Sequence, residues 1–294
     1  MTDIQHKRSV PTPSAKEVEP ARKGQPEFNS DTLVVVQTVQ STAFRNLFET
    51  LKDVLTDTNI IFEKGCMKLL TMDNNHCVLV SVKLNASSFE VYHCPERVLV
   101  GVNISNFFRL IKSIGTSDTL TLRLQRNDPN KLIIVIDNFD KNTSTTFRLN
   151  QLDIDEVRLE IPDTEFDSVL TMPSGDFQRI CRDMATLSEV MEVSSLGRQL
   201  VLRAAGDFAE QTTVIGEKES GLFFTHSDMM SEQQNVFGKF SLKYLSTFSK
   251  ANVLCGTVDL YLKKEYPLIL SYSCASLGKL LFVLGPKKFS AGTA

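Results

Sequence analysis

Four pairs of basic residues have the type and spacing to bind a polyanion. Within each pair the two cations stand three or seven positions apart, which keeps both on one side of a helix. The pairs are Arg45 and Lys52, Arg109 and Lys112, Arg179 and Arg182, and Lys243 and Lys250. Acidic residues share these segments, so any one pair is also compatible with an ordinary solvated helix face. Few aromatic residues interleave with the cations, which favours the backbone of duplex DNA over unpaired bases as the ligand.

Two adjacent His-Cys pairs, His76-Cys77 and His93-Cys94, are the nearest approach to a set of zinc ligands. Both lie in or beside predicted strands, where neighbouring side chains point to opposite faces. Each pair can therefore offer only one ligand to one side of a sheet. We expect no bound metal, and a metal-dependent enzyme built on these pairs stays open as a third hypothesis.

No motif for catalysis or nucleotide binding accompanies these residues. The chain lacks the G-x-x-x-x-G-K phosphate loop, the dinucleotide-binding G-x-G-x-x-G, the zinc-binding H-E-x-x-H and the nucleophile motif G-x-S-x-G. Ser276 and Lys279 match the short S-x-x-K pattern of some acyl-transfer enzymes but have no supporting motif. We therefore expect a non-enzymatic protein that has no cofactor and no catalytic residue.

The composition is that of a globular protein, and we expect it to work inside the cell. The 294 residues suffice for two domains, and 42% hydrophobic with 23% charged residues is ordinary for that class. No apolar run approaches the roughly 18 residues that cross a bilayer, and the N-terminus lacks the apolar core of a signal peptide. The six cysteines stand singly in apolar surroundings, so we expect reduced core thiols. A formal net charge of -3 means that contacts with DNA must come from local clusters.

Most of the chain after Thr32 has the pattern of short strands, and four helical segments stand out among them. One begins at Ser41, its predicted N-cap, and places apolar residues at offsets of three, six, seven and ten. A second begins at Ser174 and repeats that template 133 residues later. Two shorter segments begin at Ser105 and Ser241, 136 residues apart. Matched pairs of helices at nearly one period indicate two copies of one domain of roughly 120 residues.

The strand patterns predict how each strand is covered. Alternation in residues 119–124 and 257–262 predicts one buried face. Continuous apolar runs at residues 132–136 and 280–284 predict strands that are covered on both sides. Together with the helices, these patterns predict a two-domain fold of strands and few helices.

The connector between the two predicted domains is acidic and is interrupted by Pro162, as expected of a linker that crosses a surface. It still carries Leu159 and Ile161. An apolar pair of this kind either packs onto the neighbouring domain or forms part of a docking surface, and the sequence leaves both open. The predicted organisation is a disordered extension at 1–30, a first domain at 31–149, the connector at 150–165, a second domain at 166–288 and a tail at 289–294.

In three blocks the sequence resembles the proliferating cell nuclear antigen family of sliding clamps, including its viral relatives. The blocks are LTMDNNHCVLV at 70–80, MPSGDFQRICRDM at 172–184 and the ending LGPKK, and the resemblance runs from Thr32 to Lys287. It implies an α+β fold with two similar DNA-clamp domains per chain, helices lining a channel, and strands forming the outer sheets of a head-to-tail ring. It also implies a homotrimer that encircles double-stranded DNA without sequence specificity, as a polymerase processivity factor in DNA replication and repair.

The resemblance assigns the eight basic residues to the channel, where Asn46 replaces one family lysine. It implies a pocket for short apolar docking motifs of DNA polymerase, flap endonuclease, ligase and an ATP-driven clamp loader, in the nucleus or at the site of viral DNA replication. Val283 stands where the family has an aromatic residue, and the connector is about two residues longer. The implied docking residues are Met72, His76, Cys77, Leu79, Leu159, Ile161, Pro267, Val283, Gly285 and Pro286.

By the same resemblance, the ring would close through edge strands around residues 132–136 and 199–204 of neighbouring chains. The alternative hypothesis is a monomeric DNA-binding processivity factor of the same fold, which holds duplex DNA on its basic face without closing. The two differ on linear DNA with free ends. The monomer would bind it strongly and with a steep salt dependence, whereas the ring would bind it weakly.

Overall fold

The computed structural model describes residues 31–73, 75–157, 159, 164–227 and 234–287. The predicted extension at 1–30, the predicted tail at 289–294 and the docking candidate Ile161 lie outside the described residues. Within the described ranges, no helix has both the length and the apolar character needed to span a membrane.

The first half of the described chain contains two helices, α1 (Ser41–Leu51) and α2 (Ile104–Ile111), and nine strands. The strands are β1 (Thr32–Thr38), β2 (Asp57–Glu63), β3 (Cys66–Met72), β4 (Val78–Asn85), β5 (Val91–His93), β6 (Val98–Asn103), β7 (Asp118–Gln125), β8 (Asp128–Asn138) and β9 (Thr143–Asn150).

The second half, as far as it is described, repeats this set with helices α3 (Ser174–Ala185) and α4 (Leu242–Phe248), the latter continued by a 3₁₀ turn at Ser249–Val253. Its nine strands are β10 (Ser168–Pro173), β11 (Val190–Leu196), β12 (Gln199–Ala205), β13 (Glu210–Gly216), β14 (Phe223–Ser227), β15 (Gln234–Ser241), β16 (Thr257–Leu262), β17 (Leu268–Cys274) and β18 (Gly278–Leu284). Both halves place their helices at the same points in the order of strands, which confirms the predicted duplication.

The predicted apolar stripes form the helical part of the core. In α1 the rings of Phe44 and Phe48 lie 4.9 Å apart, and that of Phe48 lies 4.5 Å from Phe107 of α2. The prediction that Ser41 caps α1 is wrong, because Gln40 precedes the helix and the Ser41 hydroxyl instead donates to the Asp118 carbonyl at 2.6 Å. This tertiary contact with the start of β7 takes the hydroxyl away from its own helix.

Three antiparallel sheets result from the duplication. The described strands form a five-stranded sheet in the order β5-β1-β7-β8-β9, a four-stranded sheet in the order β13-β12-β11-β15, and a nine-stranded sheet in the order β14-β10-β16-β17-β18-β4-β3-β2-β6. The large sheet joins the two domains, because β18 of the second pairs along its whole length with β4 of the first. The predicted α+β fold of two similar domains is confirmed.

The predicted edge strands are wrong. Strand β8, which contains residues 132–136, lies between β7 and β9, and β12, which contains residues 199–204, lies between β11 and β13. A continuous apolar run is stabilised when neighbouring elements shield both of its faces and both of its edges from water, which favours a strand inside the sheet. In the described part of the chain, the polar strand β9 ends the sheet beside β8, and the polar strand β13 ends the sheet beside β12.

Strand β18 is covered on one side only, contrary to the prediction for residues 280–284. Phe282 is buried and stacks on Phe248 at the end of α4, with ring centroids 4.3 Å apart. Leu281 and Val283 point the other way and are half-buried. The nine-stranded sheet therefore has an inner face against the helices and an outer face that keeps apolar side chains accessible.

Candidate nucleic-acid interface and docking groove

The eight predicted DNA-binding cations lie on the helices or directly after them. Helix α1 packs against α2, α3 packs against α4 and the 3₁₀ turn, and α1 meets that turn across the domain boundary. The helices therefore form one continuous surface. Six of the eight side chains are exposed there, and the half-buried ones are Arg45 and Lys52.

Arg45 is partly used to hold the helices together. Its guanidinium donates to the Ile114 carbonyl at 2.8 Å and to the Asn46 side-chain oxygen at 3.0 Å. The Asn46 amide in turn donates to the Val253 carbonyl at 3.4 Å, across the domain boundary. These contacts leave Arg45 less free to meet a phosphate than the other cations.

Asp53 pairs with two of the cations. The ammonium groups of Lys52 and Lys250 lie 3.1 and 2.9 Å from its carboxylate oxygens. Burial raises the pKa of Asp53, but hydrogen bonds from Lys250 and Lys52 outweigh it and hold the pKa below its ordinary value. Asp53 was visible in the sequence beside Lys52, whereas its contact with Lys250 depends on the packing of the two domains.

The remaining cations are only weakly neutralised. Arg179 lies 3.3 Å from Asp176, and Arg182 lies 3.9 Å from Asp183, in pairs whose side chains are more than half exposed. Such exposed pairs contribute about 0–1 kcal/mol each. Three cations have no carboxylate within 4.0 Å among the described residues: Arg109, Lys112 and Lys243.

The connector begins by crossing the outer face of the first domain. The Leu152 N–H donates to the Gly101 carbonyl at 2.8 Å, and the Asn59 amide donates to the Ile154 carbonyl at 3.0 Å. A Cβ atom on Gly101 would stand 2.1 Å from the Leu152 carbonyl oxygen, so only glycine allows this approach. The connector is therefore fixed to β6 and β2 as it crosses the sheet.

A groove of about 220 Å³ lies between this connector and strands β2 and β3. Arg97 holds one wall by donating to the Glu156 carboxylate at 3.1 Å. Leu159, which the sequence left undecided, is half-buried and lines the groove. The other apolar and loop residues that line it are Ile61, Leu70, Met72, His76, Ile154 and Val157.

Nine of the ten predicted docking residues fall on this groove or on the adjoining outer face. Met72, His76 and Leu159 line the groove itself. Leu79 pairs with Met72 on one side and with Val283 on the other, so the three form a ladder across β3, β4 and β18. Four further predicted residues lie just beyond the ends of these strands and of β17, at the same end of the sheet: Cys77, Gly285, Pro286 and Pro267.

The loop that carries His76 is held by a residue that the sequence reasoning missed. The buried Asp73 carboxylate accepts hydrogen bonds from the N–H groups of Cys77 and Val78 at 2.8 Å each, and from the Tyr244 hydroxyl of α4 at 2.8 Å. Burial raises the pKa of Asp73, but these hydrogen bonds outweigh it and lower the pKa below its ordinary value. The sequence did show an aspartate at the end of a strand, a position where its side chain often binds nearby backbone N–H groups. Nothing in the sequence indicated that Tyr244 of the second domain would be its partner.

The cysteines are free thiols, and two of them are not in the core. Cys77 is exposed and Cys255 is half-buried, which corrects the prediction for these two. Burial raises the pKa of Cys94 to about 11 and that of Cys274 to about 12, so these thiols stay protonated. Among the described residues, no three His, Cys, Asp or Glu side chains gather in a metal-binding arrangement.

Comparison with known families matches both halves of the chain. Residues 33–158 match the family described as proliferating cell nuclear antigen, N-terminal domain, and residues 160–287 match proliferating cell nuclear antigen, C-terminal domain. The two matched segments meet inside the connector.

Individual relatives match over nearly their whole length. The chain is 36% identical over 262 residues to "Probable DNA polymerase sliding clamp 1" of Paramecium bursaria Chlorella virus 1, covering 88% of this chain and 98% of that one. It is 30% identical over 248 residues to proliferating cell nuclear antigen of Chaetomium thermophilum, covering 84% and 95%.

A solved structure, the proliferating cellular nuclear antigen from Entamoeba histolytica, matches with a TM-score of 0.78 at 24% identity and covers 87% of this chain and all of that one. This likeness shows the shared fold. The domain matches and the viral relative show the family as well. The chain therefore belongs to the proliferating cell nuclear antigen family of sliding clamps, whose members are non-enzymatic processivity factors.

Proposed function

We propose that three copies of this chain close head to tail into a ring that encircles duplex DNA and tethers replication and repair enzymes. The observation that carries the proposal is the junction between the two domains, where β18 pairs with β4. In the duplicated order of strands, β9 corresponds to β18 and β13 corresponds to β4. Both β9 and β13 end their sheets in the described part of the chain, so the same junction is available between chains.

The duplication also predicts the register of this contact between chains. In the observed junction Leu280 stands opposite Val82. Position by position along the sheets, Leu280 corresponds to Thr145 of β9, and Val82 corresponds to Thr213 of β13. Thr145 of one chain should therefore pair with Thr213 of the next.

Apolar side chains at these edges support an interface. Phe208, in the turn before β13, is 78% exposed, and Phe139, in the turn before β9, is 70% exposed. Val214 on β13 is 55% exposed. Large exposed apolar groups beside an unpaired strand are costly in a monomer and are typical of contact surfaces.

The helix surface suits DNA that must slide. Its cations are spread over four helices and several are shared with carboxylates, so each phosphate contact is weak. Scattered contacts with the backbone carry no sequence information and allow movement along the duplex. Retention then depends on closure of the ring, with clamp domains at 31–149 and 166–288 joined by the connector at 150–165.

The groove under the connector suits a short apolar docking motif. Its apolar lining is half-buried except for the exposed Val157, and it is continuous with the apolar ladder of β3, β4 and β18. The proposed occupants are motifs of DNA polymerase, flap endonuclease, ligase and an ATP-driven clamp loader, in the nucleus or at the site of viral DNA replication. The viral relative's name as a DNA polymerase sliding clamp supports the first of these.

Two measurements test the function. Light scattering behind a sizing column should give the mass of three 32.9 kDa chains. After loading by a clamp loader, the protein should stay on circular DNA and leave once a nuclease linearises it. A monomer at every concentration, with strong salt-dependent binding to linear DNA, would contradict the ring and favour the monomeric processivity factor.

A further inference from the structure

The outer face of the nine-stranded sheet carries a basic ladder beside the apolar one. Because β3, β4 and β18 pair side by side, their residues on this face stand opposite one another. The apolar ladder consists of Met72, Leu79 and Val283. Four residues further along each strand, the basic ladder consists of Lys68, Lys83 and Lys279.

The basic ladder is only partly neutralised. Lys68 lies 2.6 Å from the Glu63 carboxylate. Lys83 and Lys279 are exposed, and neither has a carboxylate within 4.0 Å in the described ranges. Like charges directly opposite each other on paired strands destabilise a sheet. An external anion would relieve this repulsion.

The position of this lysine pair separates it from the DNA-facing surface. The inner face of the same strands holds Phe282, which stacks on Phe248 below α4. Lys279 and Lys83 point away from the helices, on the outer face of the sheet that also carries Leu79 and Val283. Among the described residues of the connector, no carboxylate lies within 4.0 Å of either lysine, and Glu156 is held by Arg97.

We propose that the partners of this chain carry acidic residues next to their apolar docking motif, and that Lys83 and Lys279 bind them. Positions on one face of a strand repeat every two residues, about 6.6 Å, so the lysine pair lies roughly 13 Å from Leu79 and Val283. An extended segment of about four residues spans that distance. The inference rests on the proposed docking function and adds a charge requirement to it.

Synthetic docking peptides test the requirement. One apolar docking peptide is made with a tail of four Glu, four Ser or four Lys, placed at either end, and its Kd is measured by fluorescence anisotropy. Two exposed ion pairs should tighten the Glu-tailed peptide about fivefold over the Ser-tailed one, at the end that reaches the lysines. The gain should shrink with added salt.

Charge reversal supplies the matched control. In K83E/K279E the Glu tail should lose its advantage and the Lys tail should gain one. The variant K218E reverses an exposed lysine after β13 and should keep the preference for Glu. Both variants should retain the affinity of the Ser-tailed peptide, which shows that the groove is intact.

Each other outcome has a defined meaning. Equal affinities for the Glu and Ser tails would overturn the inference and leave the docking function in place. If no peptide binds at all, the proposed docking function fails, and the inference fails with it. If K83E/K279E leaves the peptides unaffected but weakens retention on circular DNA, the lysines contact nucleic acid and the inference is wrong.

Discussion

Replacing Tyr244 with phenylalanine should loosen the loop that forms one end of the docking groove. The Tyr244 hydroxyl donates to Asp73 at 2.8 Å and accepts from the Asn75 amide at 3.0 Å. Asp73 in turn accepts hydrogen bonds from two successive backbone N–H groups, those of Cys77 and Val78, directly after His76. The hydroxyl therefore connects helix α4 of the second domain to the docking loop of the first.

The size of the effect follows from these contacts. A hydrogen bond to a charged group contributes about 1.5–3 kcal/mol. Because Tyr244 is only half-buried and water can reach Asp73 in its absence, we expect a loss near the lower limit, about 1.5 kcal/mol. In a chain of this size that corresponds to a fall in Tm of roughly 3–6 °C. If ordering the loosened loop on peptide docking costs about 1 kcal/mol of this lost stabilisation, the Kd of the peptide rises about fivefold.

Differential scanning fluorimetry and peptide anisotropy measure the two quantities. The control is Tyr272→Phe, because the Tyr272 hydroxyl is buried and has no hydrogen-bond partner among the described residues. Removing that hydroxyl should leave Tm unchanged or raise it. The reasoning is refuted if Tyr244→Phe matches the unsubstituted chain in both assays, or if both substitutions lower Tm equally.

Three further substitutions give distinct results. The pKa of Asp73 is lower in the folded chain, so its stabilisation is present above the unfolded pKa and is lost as pH falls through the folded one. Thermal melts should therefore show the unsubstituted chain and Asp73→Asn converging as the pH falls from above the ordinary aspartate pKa of 3.8 to below the lowered pKa of the folded chain, and a constant gap would contradict this. Gly101→Ala should displace the connector, because the Cβ of the alanine would stand 2.1 Å from the Leu152 carbonyl oxygen. The peptide affinity measured by anisotropy should therefore fall, and an unaltered affinity would contradict a fixed connector. Asp53→Asn should release the two lysines that Asp53 pairs with, giving tighter DNA binding and a steeper dependence on salt in titrations, whereas a weaker interaction would exclude those lysines from the interface.

Periodicity alone was sufficient to predict the duplication and the helices. The apolar stripe that begins at Ser41 and its repeat from Ser174 both fold as helices that start at those residues. Such stripes are local, since every fourth or third residue must face the core whatever the helix packs against. The positions of the basic residues on the helices followed from the same spacing.

The order of strands could not be read in the same way. The run at residues 132–136 was predicted to be an edge because of the resemblance, although its continuous apolar character favours the interior of a sheet. Strand β9, with its succession of threonines, has little apolar pattern to mark it. Which strand ends a sheet depends on neighbours far away in the sequence, and no local pattern records it.

Contacts between the domains were likewise invisible in the sequence. Asp53 reaches Lys250, and Asp73 reaches Tyr244, across 197 and 171 positions of the chain. In each case a carboxylate of the first domain meets a group of the second. The pairing of β18 with β4 brings these groups together, and it was the register of that pairing that the sequence did not predict.

Disulfide cross-linking between chains is the most direct test of ring closure. The variant T145C/T213C places cysteines at positions that the observed junction predicts to be paired between chains, and the single variants T145C and T213C control for the exposed Cys77. Under mild oxidation the double variant should form a covalent species of three chains and no larger ladder. A cross-linked ladder beyond three chains, or no cross-link beyond that of the single variants, would contradict a closed ring held by β9 and β13.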